Sequence, residues 1–237
     1  MRQGSRLKKT ESLTEAWLNE RNRVHRFPRW LATRLLHPSP LDIGLPWMSF
    51  EVIEWLSRYL RPNMAVFEFG SGASTIFFGQ RVRRLVTVEN NPEWFRKVVA
   101  AVASHGLSNC ECILREPEAL DGVRPLYAPG SYTSNKSEFE RNTFKKYVES
   151  IDAFPDRSFD LIVVDGRSRA SCVMHSISKV RNGGYLLLDD SHRSQYLSST
   201  LLLRSFPRQD LVGLSPYTRG DLHYTSIWRI ATPTDPT

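Results

Sequence analysis

A chain of 237 residues, 41% hydrophobic and 24% charged, has the make-up of a globular protein and the length of one α/β domain with an appendage. No apolar run approaches the roughly 18–20 residues of a membrane span, and the basic start is not followed by the apolar stretch of a secretory signal. The net charge is +7, and the three cysteines, an odd number without metal-type spacing, read as reduced, buried thiols of a cytoplasmic protein.

Much of the positive charge sits between Arg2 and Arg34, interleaved with Trp17, Phe27, Trp30 and Leu31. Two readings follow. One is a basic amphipathic arm for anionic lipid, nucleic acid or an acidic substrate. The other is a helical cap over a cleft with a solvated basic face, and the scatter of the arginines favours it. Residues 1–48 are thus expected to form a helical extension ahead of a domain over 49–231, with a disordered tail at 232–237. Ser49 is placed to cap a helix running to Leu60, with Phe50, Ile53, Leu56 and Leu60 on one face, and Arg61-Pro62-Asn63 stops it.

Strand and helix then alternate. The pattern predicts strands over 65–69, 85–89, 110–114, 160–165 and 184–189, and helices over 73–80, 93–105, 169–181 and 192–205. Such alternation gives a doubly wound, mostly parallel sheet with right-handed crossovers. Residues 211–214 and 224–230 read as a hairpin-like end to it. Residues 117–146 include a long polar loop bearing Tyr127 and Tyr132, expected to act as a substrate-recognition lid.

The first expected strand ends in the stretch 66–75, Val-Phe-Glu-Phe-Gly-Ser-Gly-Ala-Ser-Thr, and runs straight into a helix. Gly70 and Gly72 allow a ligand close to the main chain, and the helix start offers unpaired N–H groups. The next strand ends in Glu89, where an acid accepts hydrogen bonds from both hydroxyls of a ribose. With these features the chain, from about 49 to 230, resembles the class I S-adenosylmethionine-dependent methyltransferases. The resemblance implies a Rossmann-like seven-stranded sheet whose last strand is antiparallel. It also implies S-adenosylmethionine as cofactor, with Gly70, Ser71 and Gly72 at the methionine end and Glu89 on the ribose. Glu68 would orient the turn or meet the ammonium, Asn90 would contact adenine or ribose, and Glu116 would read the adenine amino group.

Two later strands deliver acids to the same sheet edge: Asp165 after the fourth, Asp189 and Asp190 after the fifth. Crowded carboxylates repel unless a cation neutralises them, and Mg²⁺ suits oxygen ligands. With Gly183-Gly184 before the fifth strand, this is similar to the metal-dependent O-methyltransferases of catechol and macrolide-sugar type. Two other readings stay open: Asp190 caps the next helix, or Arg167 and Arg169 pair with the aspartates and no metal is needed. If free, those arginines point to an acidic acceptor. Asp165 and His192 are the candidate catalytic groups, His192 as a general base. The expected activity is O-methylation of a small-molecule or sugar-type acceptor, with an acidic acceptor and magnesium assistance as its further forms. Nucleic-acid methylation and a non-catalytic cofactor-binding scaffold are the alternatives.

Overall fold

The computed structural model describes residues 39–120, 122, 127–134, 136–217 and 222–231. The basic arm and the 232–237 tail therefore lie outside the described residues. The first described element is a single turn, α1 (Pro40–Ile43), closed by Gly44 in the left-handed region at φ 60°. Its Leu41 is buried in a small cluster with Ile76, Val98 and Val102. Next comes α2 (Phe50–Tyr59), whose N-cap Ser49 accepts a hydrogen bond from the Val52 amide, as the sequence predicts.

The chain continues through β1 (Ala65–Phe69), α3 (Ala73–Gly79), β2 (Arg84–Glu89), α4 (Pro92–Ser104) and β3 (Cys110–Leu114). Two short strands, β4 (Glu118–Ala119) and β5 (Asn142–Thr143), pair antiparallel. They close the base of the excursion between β3 and the next long strand. After α5 (Lys145–Val148) come β6 (Phe159–Val164), α6 (Arg169–Ser176), β7 (Val180–Asp189), α7 (Leu197–Leu202), β8 (Arg208–Leu214) and β9 (Leu222–Ile230).

The main sheet has the order β3-β2-β1-β6-β7-β9-β8. Its first five strands are parallel, and β9 runs antiparallel to both β7 and β8. The chain winds outward from β1 to β3, then returns to place β6 on the other side of β1. That reversal opens a crevice beyond the carboxyl ends of β1 and β6, where ligands bind in such sheets.

The two-residue period of the strands sorts the core. Phe67 and Phe69 of β1, with Ile162 and Val164 of β6, face a cluster containing Tyr147, Cys172 and Val173. Val66, Leu161 and Val163 face the opposite cluster, with Leu56 of α2 and Phe77 of α3. Both faces of the sheet are thus covered, which is why β1 and β6 are apolar almost without interruption.

Four expectations are adjusted. Helix α6 stops at Ser176, and β7 begins at Val180 rather than 184. The glycine pair makes the longer strand possible: Gly183 has φ +80°, and a Cβ on Gly184 would lie 2.7 Å from the Asp160 carbonyl oxygen. The helix expected over 192–205 shrinks to a 3₁₀ turn at Ser194–Tyr196 followed by α7. Cys110 and Cys112, on edge strand β3, are only half-buried; they and the buried Cys172 are free thiols. No helix among the described residues is long and apolar enough to cross a membrane.

Candidate active site

The turn after β1 is shaped by close approach. Gly70 has φ +93°, and a Cβ there would lie 2.8 Å from Gly166 Cα, in the turn after β6. A Cβ on Gly166 would in turn fall 2.0 Å from the Tyr147 hydroxyl. The two turns therefore touch backbone to backbone, and both positions require glycine. Gly72, by contrast, faces open space, with nothing within 4 Å of a Cβ built on it.

Two acids hold this turn. Glu68 is fully buried beneath it and accepts hydrogen bonds from the hydroxyls of Ser74, Thr75 (2.7 Å) and Thr87 (2.8 Å). The Thr75 hydroxyl also accepts from the Gly72 amide at 2.9 Å. Burial pushes the Glu68 carboxyl up to about 7, and the three hydroxyls pull back only partly. Glu89 sits at the end of β2. One of its oxygens accepts from the Ser71 amide and hydroxyl, both at 3.1 Å. The other accepts from the Asn90 and Asn91 amides at 2.8 and 2.9 Å. Trp94 adds a pin the sequence did not signal: its indole N–H donates to the Ser71 carbonyl at 2.8 Å.

Across the crevice stand the other acids. Asp165 follows β6, Asp189 ends β7, and Asp190 takes a left-handed turn at φ 53°. The first residue of α6 reaches among them. Arg169 donates from Nη2 to Asp165 Oδ1 (2.8 Å) and the Asp165 carbonyl (3.0 Å), from Nη1 to the Asp189 carbonyl (2.5 Å), and from Nε to the Gly166 carbonyl (3.1 Å). Its Nη1 is also 3.5 Å from Asp190 Oδ2, which Arg193 holds at 2.8 Å. Asp189 Oδ1 accepts from the Thr225 hydroxyl at 2.6 Å.

Burial raises the Asp165 carboxyl well above the usual range; Asp189 and Asp190 raise it further, and Arg169 opposes them. Asp189 is raised for the same first reason, with Arg169 again pulling down. Burial by itself would weaken the Arg169 charge, but Asp165 and the neighbouring acids outweigh it and hold the guanidinium above its ordinary value.

All of this opens onto one cavity of about 590 Å³. Gly70, Ser71, Gly72, Glu89, Asn90 and Trp94 line one side, and Asp165, Arg167, Asp189, Asp190 and His223 line the other. Trp47, half exposed and packed against Tyr217 at 5.1 Å between ring centroids, also borders it, with Glu138 and Phe139. The volume is in the range of small-molecule and cofactor sites. The expected site residues thus divide. Glu68 lies under the turn rather than in the cavity wall, and Glu116 and His192 are not among its lining residues. His192 is exposed and packs on the Tyr224 ring at 4.5 Å.

The expected lid is placed differently too. Ser131, Thr133 and Ser134 are buried, and the Tyr132 amide donates to the Ser171 hydroxyl at 3.1 Å. The main cavity is bordered instead by the next segment, through Glu138 and Phe139.

No protein-family model matches the sequence, and no curated protein matches it. Solved structures do match in three dimensions. An rRNA methylase from Streptococcus thermophilus aligns with a TM-score of 0.51 at 11% identity, over 76% of this chain and 93% of that one. TomG, an O-methyltransferase of tomaymycin synthesis from Streptomyces achromogenes solved with S-adenosylmethionine, aligns at 0.52 and 12%, over 77% and 79%. The fold is that of the S-adenosylmethionine-dependent methyltransferases. A Streptococcus mutans structure in complex with S-adenosylhomocysteine shares it at 0.50 and 11%, over 74% and 94%.

The two implied ligands fare differently when set against the side chains. The β1–β2 half fits an adenosine-type cofactor: Gly72 leaves the wall open, and the acids there have no ion-pair partner among the described residues. The β6–β7 half does not fit magnesium as expected. Asp165 is tied to Arg169, and the ligand atoms that come within 4.8 Å of one another belong to Asp189, Asp190 and His223. That set contains a nitrogen, whereas magnesium prefers oxygen ligands. Two guanidinium groups already reach the Asp190 carboxylate.

Proposed function

We propose that this chain is an S-adenosylmethionine-dependent methyltransferase acting on a hydroxyl of a small-molecule or sugar-type acceptor, with Asp165 as the base. The observation that carries the reading is the juxtaposition of Asp165 and the Gly70–Gly72 turn across one cavity. Bound S-adenosylmethionine would supply an electrophilic methyl group on a sulfonium. Ser71, Gly72, Glu89 and Asn90 would hold it, while Glu68 fixes the turn from below. Arg169 occupies one oxygen of Asp165, and Oδ2 is left without a hydrogen bond among the described residues. That oxygen takes the acceptor's proton as the acceptor oxygen bonds to the methyl carbon and the sulfur keeps the electron pair of the broken bond. Alignment does the rest, because an in-line displacement needs no covalent enzyme intermediate.

Asp165 is favoured over His192 because it lines the cavity. The cavity walls carry Glu89, Glu138, Asp165, Asp189 and Asp190 against Arg167, Arg169 and Arg193. Arg169 and Arg193 are taken up by the aspartates. An acidic acceptor therefore rests on Arg167 alone, and a polyanion such as nucleic acid is disfavoured at these walls. The magnesium-assisted form is not carried forward.

Calorimetry with S-adenosylhomocysteine tests the cofactor half. One site per chain is expected, abolished in Gly70→Val; a folded variant that binds normally would sink the assignment. For the acceptor half, turnover in a screen of hydroxylated compounds should rise with pH above the usual carboxylate range, as Asp165 loses its proton. Asp165→Asn should abolish turnover while keeping cofactor affinity.

A further inference from the structure

We infer that Arg169 is the resident cation of the acceptor half of the site, standing where a divalent metal would otherwise be needed, and that this chain works without one. Every nitrogen of its guanidinium is engaged: Nε on the Gly166 carbonyl, Nη2 on Asp165, Nη1 on the Asp189 carbonyl and near Asp190. Only 9% of its side chain is exposed, so this charge is not a solvated surface group. A buried guanidinium is stable only among acids and carbonyls that answer it, and it has both.

The charge count agrees. When all three are ionised, Asp165, Asp189 and Asp190 bring three negative charges, while Arg169 and Arg193 return two. A divalent ion added beside Asp189 and Asp190 would stand next to both guanidinium groups and overcharge the cluster. Arginine also does what a metal would do for geometry. It binds the ends of β6 and β7 together and fixes Asp165 through one oxygen, leaving the other for the acceptor. Arg169 is a positioning residue: it acts through Asp165 and is not itself assigned to touch the acceptor.

This inference rests on the methyltransferase reading only for what Asp165 is held to do, and S-adenosylhomocysteine binding on the same samples reports that reading separately. The test is titration with Mn²⁺ followed by electron paramagnetic resonance, with thermal melts alongside. The wild type should bind no stoichiometric Mn²⁺, and its melting and cofactor binding should not respond to chelator. Arg169→Ala uncovers the three acids and should bind Mn²⁺ roughly 10–100-fold more tightly than the wild type, the scale of changing a metal site's immediate support. Free guanidinium at low concentration should raise its melting temperature. Arg169→Lys, which keeps the charge, should gain no such site. If the alanine variant does not fold, Arg169→Lys against Arg169→Gln replaces it, and only the lysine form should approach wild-type stability. The inference is overturned by one Mn²⁺ per wild-type chain that Asp190→Asn or His223→Ala removes. It falls equally if a folded Arg169→Ala neither binds Mn²⁺ nor responds to guanidinium, or if lysine and glutamine behave alike.

Discussion

The two halves of the crevice hold buried acids in opposite ways. Beside β1 and β2, Glu68 and Glu89 are held by hydroxyls and backbone amides, and no arginine or lysine pairs with them among the described residues. Beside β6 and β7, the acids are met by Arg169 and Arg193. Neutral donors satisfy geometry without cancelling the charge of Glu89, so that half remains complementary to a cationic ligand. The other half already has cations of its own, Arg169 buried and Arg193 half exposed. The proposed cationic cofactor on the first side and the proposed metal-free acceptor site on the second both rest on this contrast.

The comparison depends on the two turns touching, and the largest effect comes from separating them. Gly166→Ala puts a methyl 2.0 Å from the Tyr147 hydroxyl and 3.0 Å from the Gly70 amide. Roughly 3 kcal/mol or more of stability should be lost, the upper end of overpacking, together with cofactor binding. Adding Tyr147→Phe removes the nearest atom and should recover part of the loss in urea melts. A fully additive pair would mean the clash lies elsewhere.

The neutral-donor half should betray itself in pH dependence. The folded Glu68 carboxyl lies near 7 against an ordinary 4.5. The folded state therefore binds its proton more tightly than the unfolded chain does. That contribution is complete below about pH 4.5 and is lost as pH rises through about 7. Glu68→Gln cannot ionise, so wild-type stability measured against it should decline by about 3 kcal/mol across that window. A flat difference would show that Glu68 keeps its charge when folded.

Removing the charge of Glu89 sharpens the same point. Glu89→Gln keeps the shape but halves the acceptors, and S-adenosylhomocysteine affinity should weaken by about 1–3 kcal/mol. Unchanged calorimetry would remove Glu89 from the cofactor's contacts.

Much of this contrast was legible in the sequence because strand ends are. The apolar runs ending in Glu68, Glu89, Asp165 and Asp189 fix which acids meet at one edge, and the parallel register then places them. The seven-stranded, mostly parallel sheet, the antiparallel last strand and the Ser49 cap follow from pattern and from the resemblance. What answers each acid was left open by the sequence, which offered both a metal and the pairing of Arg167 and Arg169 with the aspartates. Arg169 stands four residues after Asp165 on a helix start, and whether it turns inward is decided by the carbonyls of Gly166 and Asp189, which come together only in the fold. The need for glycine at 166 is likewise set by Tyr147, 19 residues earlier in sequence, with no local signal. His192 shows the converse: it follows the acid pair in sequence, yet its ring packs on Tyr224 and it is not among the residues lining the cavity.

The smallest expected effect belongs to Trp94. Its indole N–H meets the Ser71 carbonyl while its ring borders the cavity, so it ties α4 to the glycine turn. Trp94→Phe keeps most of the ring and deletes that one donor. Ser71 lines the cavity, where water can replace the lost partner, and the cost should be about 1 kcal/mol. Because the bond fixes the turn rather than the core, the loss should show in S-adenosylhomocysteine affinity, about five- to tenfold by calorimetry. The urea midpoint should move little. A variant that melts early yet binds normally would place Trp94 in the packing of α4 and return the turn to Glu68 and Glu89 alone.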